Sequence, residues 1–321
     1  MKTIITGGAG FIGSNLIAEL NARGEDDLLV VDELGRDEKW KNLNGLRFQD
    51  YWERDDFRFA LRNDALGAVD VVYHLGACSA TTEGNASFLA DNNYRFTREL
   101  CEWCLQHDVR FVYASSAATY GDGARGYADD LDRLDELRPL NMYGYSKHLF
   151  DCWARRAGLF DRIAGLKYFN IYGPREDHKG DMRSVVHKAF HQLRETGEVT
   201  LFRSHRPDYK DGEQTRDFMY VRDAVAVTLF FGEPGAPSGL YNCGTGRSRA
   251  WNDLARALFA ACGRPPNIRY VDMPPHLRAK YQYHTQAETD RLRAAGYTAP
   301  FTELEDGVRE YVAGWLQPQA G

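Results

Sequence analysis

The chain has 321 residues with 43% hydrophobic and 27% charged residues, the composition of a soluble globular protein with one large or two moderate domains. Its formal net charge of −6 argues against a nucleic-acid-binding surface. No apolar run approaches the ~20 residues of a membrane-spanning helix, so no membrane partner is expected.

The N-terminus and the cysteines indicate a cellular compartment. A single Lys2 and a very short apolar run precede a glycine turn, which indicates the first strand of a fold and not a signal peptide. Six cysteines are scattered along the chain without an export signal, so we expect reduced thiols and a cytoplasmic location. Cys101 and Cys104 have the spacing of a redox or zinc pair, but their helical context predicts that both face the core.

The first thirteen residues, MKTIITGGAGFIG, have the order of a strand, a glycine turn and the start of a helix. The turn fits Gly-x-Gly-x-x-Gly through Gly8, Gly10 and Gly13, and it fits Gly-x-x-Gly-x-x-Gly when counted from Gly7. Glycines there let the backbone approach a pyrophosphate, which the free N–H groups and positive dipole of the helix N-terminus would bind. The sequence therefore predicts a dinucleotide site, with Gly13 allowing close packing of helix on strand.

A second strand, LLVV, ends at Asp32. Its distance from Gly13 matches the ~20 residues expected for the acidic residue that hydrogen-bonds an adenosine ribose. A carboxylate at this position favours NAD, because it would repel the 2′-phosphate of NADP.

Strand and helix signals then alternate, which predicts an α/β fold built on a Rossmann-type doubly wound parallel sheet. The segment GRDEKWKNLNG is predicted as a loop around the adenosine end of the cofactor. Predicted helices cover residues 55–62, 92–107 and 141–156. Predicted strands cover residues 69–75, 110–114 and 163–169.

The regular alternation ends near residue 170, where turns, short strands and helices follow. We expect a dinucleotide-binding domain over residues 1–170 and a smaller, discontinuous α/β substrate domain over 171–321. Segments near 216–236 are expected to return to the first domain. Within the second half, a helix is predicted over residues 182–196, and a strand over 216–221 is followed by a helix to 231.

Three side chains suggest proton and hydride chemistry. Tyr143 and Lys147 are four residues apart, so on a helix they share a face, and a nearby ammonium would lower the pKa of the phenol. Ser116 follows a predicted strand and could hydrogen-bond the same substrate oxygen. His187 and His191 have metal-pair spacing, but Lys188 stands where a zinc protease has Glu, so no metal is expected.

Several segments together resemble the extended short-chain dehydrogenase/reductase family: TGGAGFIG, YASSAATYG, YGYSK and YFNIYGPRE. Within this family, the chain resembles more narrowly the nucleotide-sugar epimerases that invert C6 of ADP-heptose. The segments that carry this narrower resemblance are GACSATTE, DNNY, NMYGYSK, YFNIYGPREDHKG, RDFMYV, YNCGTGRS and YQYHTQAETDRLRAAGY. The resemblance implies an isomerase that oxidises ADP-D-glycero-D-manno-heptose transiently to a 6-ketone and returns the L-glycero epimer. It also implies tightly bound NADP, a homo-oligomer and a role in lipopolysaccharide inner-core precursor synthesis.

The resemblance further implies the roles of individual residues. Tyr143 and Lys147 would form the catalytic pair with Ser116, and Lys179 would be a second acid/base or, alternatively, would hold a phosphate. The dinucleotide would contact Gly7, Gly10, Phe11, Ile12, Gly13, Asp32, Glu33, Lys39, Arg54, Leu75, Gly76, Ala77, Cys78, Ser79, Asn92, Lys147, Ile171 and Lys179. The ADP-sugar would contact Asn170, Asp181, Lys188, Phe202, Arg203, Ser204, His205, Arg216 and Tyr281.

Some positions separate this chain from relatives or leave alternatives open. Asp181 and Lys188 depart from the small hydroxyl residue and the His common in the family. Ala117 and Ala118 stand where nucleotide-sugar dehydratases need an Asp-Glu pair, and methyl groups cannot move protons. Lys39 and Arg54 could offset the repulsion of NADP by Asp32, so NAD stays possible. The alternatives for function are another epimerase, such as a UDP-hexose 4-epimerase, or a non-catalytic dinucleotide-sensing module.

Overall fold

The structure is a computed structural model that describes residues 2–278 and 281–319. In chain order its strands are β1 (Thr3–Thr6), β2 (Leu28–Asp32), β3 (Asp50–Glu53), β4 (Val71–His74), β5 (Arg110–Ser116), β6 (Ile163–Tyr168), β7 (Asn170–Tyr172), β8 (Val199–Phe202), β9 (Thr215–Tyr220), β10 (Gly239–Cys243), β11 (Ser248–Ala250) and β12 (Ile268–Val271). Among the described residues, none of the helices combines the length and apolarity that a membrane span requires.

The helices are α1 (Phe11–Ala22), α2 (Arg54–Arg62), α3 (Ala86–Leu89), α4 (Phe96–Gln106), α5 (Met142–Arg156), α6 (Val185–Thr196), α7 (Val221–Gly232), α8 (Trp251–Ala261), α9 (Pro275–Arg278), α10 (Asp290–Ala294), α11 (Leu304–Tyr311) and α12 (Gln317–Gln319). Short 3₁₀ segments cover Glu38–Leu43, Ala117–Tyr120, Leu131–Glu136, Leu159–Asp161 and Asp177–Met182. Two π-helical segments cover Ala90–Arg95 and Val312–Leu316.

Seven strands form one parallel sheet in the order β10-β6-β5-β4-β1-β2-β3. The order turns back between β1 and β4, which makes the sheet doubly wound and places a ligand crevice outside the carboxyl ends of those two strands. The predicted α/β fold class is confirmed.

The core explains why the strands are apolar without alternation. Neighbouring residues of β1 face opposite sides, so that Ile4 packs in one hydrophobic cluster with α2, α4 and α5. Ile5 packs in the other cluster with α1, α7 and α8. Because helices cover both faces of the sheet, both side-chain sets must be apolar.

Some predicted boundaries are wrong. The strand β3 was not expected, since charged residues flank its two aromatic ones and leave no apolar run, but it lies at the sheet edge where its side chains are half-buried or exposed. The predicted loop after Asp32 contains the 3₁₀ segment Glu38–Leu43. The helix predicted to open at Asn92 begins at Ala86, because Asn85 caps it by accepting a hydrogen bond from the Phe88 N–H at 3.0 Å.

Two small sheets accompany the large one, in the orders β11-β9-β7 and β12-β8. The large sheet takes its edge strand β10 from well beyond residue 170, and α7 packs against β4 and β5. The second half of the chain therefore contributes both to the large sheet and to the small ones, and the domain boundary at residue 170 stays a prediction.

Candidate active site

A cleft of about 670 Å³ lies where the carboxyl ends of the central strands meet the glycine turn. Predicted site residues that line it are Gly7, Gly10, Phe11, Ile12, Gly13, Asp32, Lys39, Leu75, Gly76, Ala77, Cys78, Ser79, Ser116, Tyr143, Lys147, Asn170, Ile171 and Lys179. This one cleft brings together all four residues predicted to be catalytic and most of those predicted to bind the dinucleotide.

The glycine turn fits tightly against the strand end that follows β4. Gly7 has a φ of +69°, and a Cβ there would lie 2.6 Å from the Gly76 nitrogen. A Cβ on Gly13 would overlap the Gly7 carbonyl oxygen and lie 2.8 Å from the Gly8 Cα, as the predicted close packing requires. Gly10 is the N-cap of α1 and has no side chain, so it leaves the first-turn N–H groups available to an anion.

Asp32 is held between the glycine turn and a lysine. Its Oδ2 accepts a hydrogen bond from the Ala9 N–H at 2.9 Å, and its Oδ1 pairs with the Lys39 Nζ at 2.8 Å. Both side chains are largely buried at this end of the cleft. The Lys39 ammonium therefore lies beside the carboxylate that would otherwise repel a 2′-phosphate.

Three residues predicted to bind the dinucleotide lie outside the lining of the cleft and contact one another. The Arg54 Nη1 donates to the Asn92 Oδ1 at 2.8 Å and pairs with the Glu33 Oε2 at 2.7 Å. These contacts join Glu33, which follows β2, to Arg54 at the start of α2 and to Asn92 in the π-helical segment before α4.

Ser116, Tyr143 and Lys147 line the cleft from two elements. Ser116 ends β5, and its Oγ accepts a hydrogen bond from the Ala118 N–H at 3.1 Å. Tyr143 and Lys147 lie in the first half of α5, which Asn141 caps by accepting from the Gly144 N–H at 2.8 Å.

Burial controls the protonation of this group. It raises the pKa of Tyr143, opposed by a hydrogen bond with Ser116. It lowers the pKa of Lys147 to about 8, opposed by the charge of Asp151. The net shift of the Tyr143 pKa is therefore upward, opposite to the predicted lowering, because removal of the phenol from water is the largest effect.

Sequence reasoning missed a buried charge pair behind this group. The Asp151 Oδ2 pairs with the Lys167 Nζ at 2.7 Å and accepts a hydrogen bond from the Ser115 Oγ at 2.7 Å. Both members of the pair are fully buried, and they join α5 to β5 and β6. The only sequence signal was the position of Asp151, four residues after Lys147 on the same helical face.

Lys179 reaches the cleft from the second half of the chain. It lies in a 3₁₀ segment that includes Gly180 at a φ of +52°, and its Nζ is 5.0 Å from the centre of the Phe11 ring. Burial lowers the pKa of Lys179, with the charge of Glu176 opposing the shift. The side chain is therefore a cation that gives up its proton more readily than an exposed lysine.

The predicted substrate residues divide into groups. Asn170 lines the cleft, whereas Arg216 and Tyr281 lie outside its lining. The Arg216 guanidinium is 5.5 Å from the ring of Trp251 and 5.1 Å from that of Tyr281. The Trp251 Nε1 donates to the Tyr281 hydroxyl at 2.9 Å, and Trp251 also lines the cleft. Burial lowers the pKa of Arg216, although the guanidinium stays charged.

The remaining predicted substrate residues lie outside the cleft lining. The Lys188 Nζ donates to the Asp181 carbonyl oxygen at 3.3 Å. In the loop after β8, the His205 N–H donates to the Tyr283 hydroxyl at 3.0 Å. The members of this group are Asp181, Lys188, Phe202, Arg203, Ser204 and His205.

Other cleft residues were not anticipated. Arg183 lines the cleft, and its Nε donates to the Asp177 carbonyl oxygen at 2.7 Å. A basic residue two positions after Asp181 was the available signal. Trp251 lines the cleft without a local motif to mark it. Gln282 and Thr285 also line the cleft, and their signal was the segment YQYHTQAETDRLRAAGY, in which only Tyr281 was assigned a site role.

The histidine and cysteine pairs do not form metal or redox sites among the described residues. The His187 Nε2 lies 3.0 Å from the Asp177 Oδ1, and the described residues hold no group of three side chains placed to bind a metal. Cys101 and Cys104 are buried free thiols, so the prediction that they face the core is confirmed.

Comparison with known proteins agrees with this geometry. The model of the NAD dependent epimerase/dehydratase family matches residues 3–244. An ADP-L-glycero-D-manno-heptose-6-epimerase of Nitratidesulfovibrio vulgaris is 55% identical over 98% of this chain and 97% of its own length.

Solved structures show the same relationship. The crystal structure of the Helicobacter pylori ADP-L-glycero-D-manno-heptose-6-epimerase is similar with a TM-score of 0.81 and 29% identity, over 97% of this chain and 95% of that one. A UDP-glucuronic acid 4-epimerase from Bacillus cereus, in complex with UDP-glucuronic acid and NAD, has a TM-score of 0.78 and 26% identity over 99% of this chain and 100% of that one. The chain belongs to the NAD dependent epimerase/dehydratase family.

Proposed function

We propose that this protein is an isomerase that inverts C6 of ADP-D-glycero-D-manno-heptose, giving the L-glycero epimer, with a tightly bound nicotinamide dinucleotide. The observation that carries the proposal is one cleft in which Ser116, Tyr143, Lys147 and Lys179 lie beside the glycine turn. The chain is also 55% identical to an enzyme named for this epimerisation.

The residues present fit a dinucleotide. The glycine turn leaves no space for side chains at Gly7 and Gly13, and the uncapped start of α1 faces the cleft. Asp32 and Lys39 would hold the adenosine ribose, and Leu75 to Ser79 would lie along the nicotinamide half. When bound, the nicotinamide supplies a reversible acceptor for the hydride of the sugar carbon.

Tyr143 and Ser116 act on the C6 oxygen. The Tyr143 phenol holds the proton that moves to or from this oxygen, and the Ser116 hydroxyl hydrogen-bonds it. The Lys147 ammonium, on the same face of α5, stabilises the charge left on the phenol oxygen. Ala117 and Ala118 line the cleft with methyl groups, so the side chains needed for dehydration are missing from these positions.

Inversion needs a second proton position. Once the ketone has rotated to present its opposite face, the C6 oxygen points away from Tyr143. Lys179 then supplies or takes the proton at the new position of this oxygen. Burial lowers the pKa of Lys179, which suits this role. If Lys179→Met retained full turnover from either epimer, Lys179 would instead hold a phosphate or serve structure alone.

The cofactor is proposed to be NADP. The Lys39 Nζ lies 2.8 Å from the Asp32 Oδ1, where it offsets the charge that disfavours a 2′-phosphate. Denaturing the purified protein and identifying the released dinucleotide tests this choice. We expect NADP from the native chain and a larger share of NAD from Lys39→Met; NAD alone from the native chain would contradict the proposal.

The substrate end is proposed to recognise a diphosphate. The buried Arg216 guanidinium, which lies near the rings of Trp251 and Tyr281, suits a charged bidentate contact. Together with residues 202–205 it would favour ADP over UDP. Parallel assays with ADP-heptose and with UDP-glucose distinguish a 6-epimerase from a 4-epimerase.

The central experiment is incubation with ADP-D-glycero-D-manno-heptose. We expect the L-glycero epimer to appear without net reduction of the cofactor. A dinucleotide-sensing module would bind the cofactor but give no epimer with any nucleotide sugar, and that result would overturn the proposal.

The cellular setting follows from this function. We propose a cytoplasmic homo-oligomer that supplies the heptose of the lipopolysaccharide inner core. Cell fractionation and light scattering of the purified protein test location and assembly, and a heptose-deficient lipopolysaccharide in a deletion strain tests the role.

A further inference from the structure

Lys179 lies in a loop of residues 174–184 that we call the lysine loop. One side of this loop contacts the dinucleotide end of the cleft. The Asn42 Nδ2 donates to the Arg175 carbonyl oxygen at 3.0 Å and to the Ala9 carbonyl oxygen at 3.0 Å. The Arg175 Nη1 donates in return to the Asn42 carbonyl oxygen at 2.5 Å. This side is therefore fixed to the glycine turn.

The other side contacts the C-terminal helices. Glu176 is fully buried and accepts a hydrogen bond from the Tyr311 hydroxyl at 3.1 Å. The Asp177 Oδ2 accepts one from the Trp315 Nε1 at 3.0 Å. Tyr311 ends α11, and Trp315 lies in the π-helical segment that follows it.

Trp315 makes a second contact with the lysine loop, because the Arg175 guanidinium lies 5.6 Å from the centre of its ring. A π-helical segment changes the direction of the side chains that follow it and is frequent at functional sites. Trp315 thus contacts the loop on both sides of Glu176, while lying outside the cleft lining.

The Trp315 bond is to a charged acceptor. Burial acts to raise the pKa of Asp177, but hydrogen bonds from His187 and Trp315 lower it below its ordinary value. The N–H···O bond is therefore charge-assisted and stronger than a neutral one. The segment between Asp177 and Met182 has 3₁₀ geometry broken at Gly180, so the position of Lys179 depends on such side-chain contacts.

We propose that Trp315 and Tyr311 are positioning residues that hold the lysine loop so that Lys179 reaches the cleft. The inference rests on the acid/base role proposed for Lys179. It assigns to the C-terminal helices a part in turnover, although they lie outside the cleft.

The test compares two tryptophan substitutions. Trp315→Phe keeps a ring beside Arg175 and removes the N–H donor to Asp177. Trp103→Phe is the matched control. Trp103 lies on α4, outside the cleft, and its Nε1 likewise donates to a carboxylate, the Asp64 Oδ1, at 2.8 Å. We expect kcat to fall about 10- to 100-fold in Trp315→Phe with KM within about threefold, and to change less than about twofold in the control.

Two further measurements separate the inference from the proposed function. Hydrogen exchange of the amides of residues 176–182 is expected to accelerate in Trp315→Phe and not in Trp103→Phe. The double variant Trp315→Phe/Lys179→Met is expected to be no slower than Lys179→Met alone, because both changes remove the same contribution.

Equal exchange rates in the two tryptophan variants, or equal kcat values, would overturn the inference. Full turnover by Lys179→Met would overturn the acid/base role, while hydrogen exchange would still decide whether Trp315 holds the loop. If Trp315→Phe does not fold, Tyr311→Phe removes a single hydroxyl from Glu176 and is measured in the same ways, with the same results expected.

Discussion

The two ends of the cleft are built in different ways. The dinucleotide end consists of backbone at the carboxyl ends of β1 and β4, with glycines where side chains would collide. The substrate end consists of side chains from distant segments, among them Asn170, Lys179 and Trp251. We therefore expect changes at the first end to alter cofactor retention and stability, and changes at the second end to alter turnover while the cofactor stays bound.

The largest loss of turnover is expected from a change at Tyr143, at the boundary of the substrate end. Tyr143→Phe removes the hydroxyl that we propose exchanges a proton with the C6 oxygen, so kcat should fall about 10²- to 10⁴-fold. Cofactor content, measured after denaturation, should stay at the native level. Tyr145→Phe, on the exposed side of the same helix, is the control and should retain native turnover. If Tyr143→Phe lost its cofactor, the two ends of the cleft would not have the separate roles proposed for them.

The next effect concerns the buried Asp151–Lys167 charge pair, which joins the helix bearing Tyr143 to β6. Asp151→Asn leaves the Lys167 ammonium buried without its counter-charge, which should lower the free energy of unfolding by about 3–5 kcal/mol. Denaturant titration measures this change.

A matched control is Asp223→Asn, another largely buried carboxylate, which accepts from the Thr302 N–H at 2.7 Å. Its loss should be smaller, about 1–3 kcal/mol, because no buried lysine is left unpaired. Equal losses in the two variants would show that the Lys167 charge is compensated in some other way.

A smaller effect is expected at the dinucleotide end. Gly13→Ala introduces a Cβ that overlaps the Gly7 carbonyl oxygen, so α1 must shift, at a cost of about 1–3 kcal/mol in stability. Less cofactor should remain bound after purification, and turnover should return to near the native rate at saturating added cofactor. Gly24→Ala supplies a contrast, since its Cβ would meet open space and only its positive φ adds strain. Unchanged cofactor retention in Gly13→Ala would contradict the expected role of the dinucleotide end in holding the cofactor.

The smallest effect is a pH dependence at the substrate end. Burial lowers the pKa of Lys147 to about 8, so its ammonium is present below that value and is lost as the pH rises through it. If the cation is required, kcat/KM should fall roughly tenfold between about pH 7 and pH 9. A flat profile over this range would mean that bound ligands hold the proton on Lys147 or that its charge is dispensable.

The same contrast explains what could be predicted from sequence. Gly7, Gly13 and Asp32 follow from local spacing, because one strand–turn–helix unit fixes them. Tyr143 and Lys147 follow from helical periodicity and resemblance, and the structure places them in the cleft with Ser116.

Features that depend on tertiary contacts could not be predicted. The pairing of Asp151 with Lys167 joins two different elements, and the contacts of Arg216 with the rings of Trp251 and Tyr281 join segments far apart in sequence. The direction of the Tyr143 pKa depends on burial, which spacing alone does not reveal. The strand β3 was missed because an exposed sheet edge accepts polar residues that a pattern of apolar runs overlooks.

The edge strand β10 has a consequence for how the chain folds. It pairs in parallel with β6, yet residues 169–238 lie between the two strands. During synthesis, the last strand of the large sheet is therefore made only after this long intervening segment has left the ribosome. Such non-local pairing slows folding and leaves the edge of β6 exposed to other chains in the meantime. The protein should consequently depend on chaperones more than its stability alone would suggest, and early termination before residue 239 should yield aggregates.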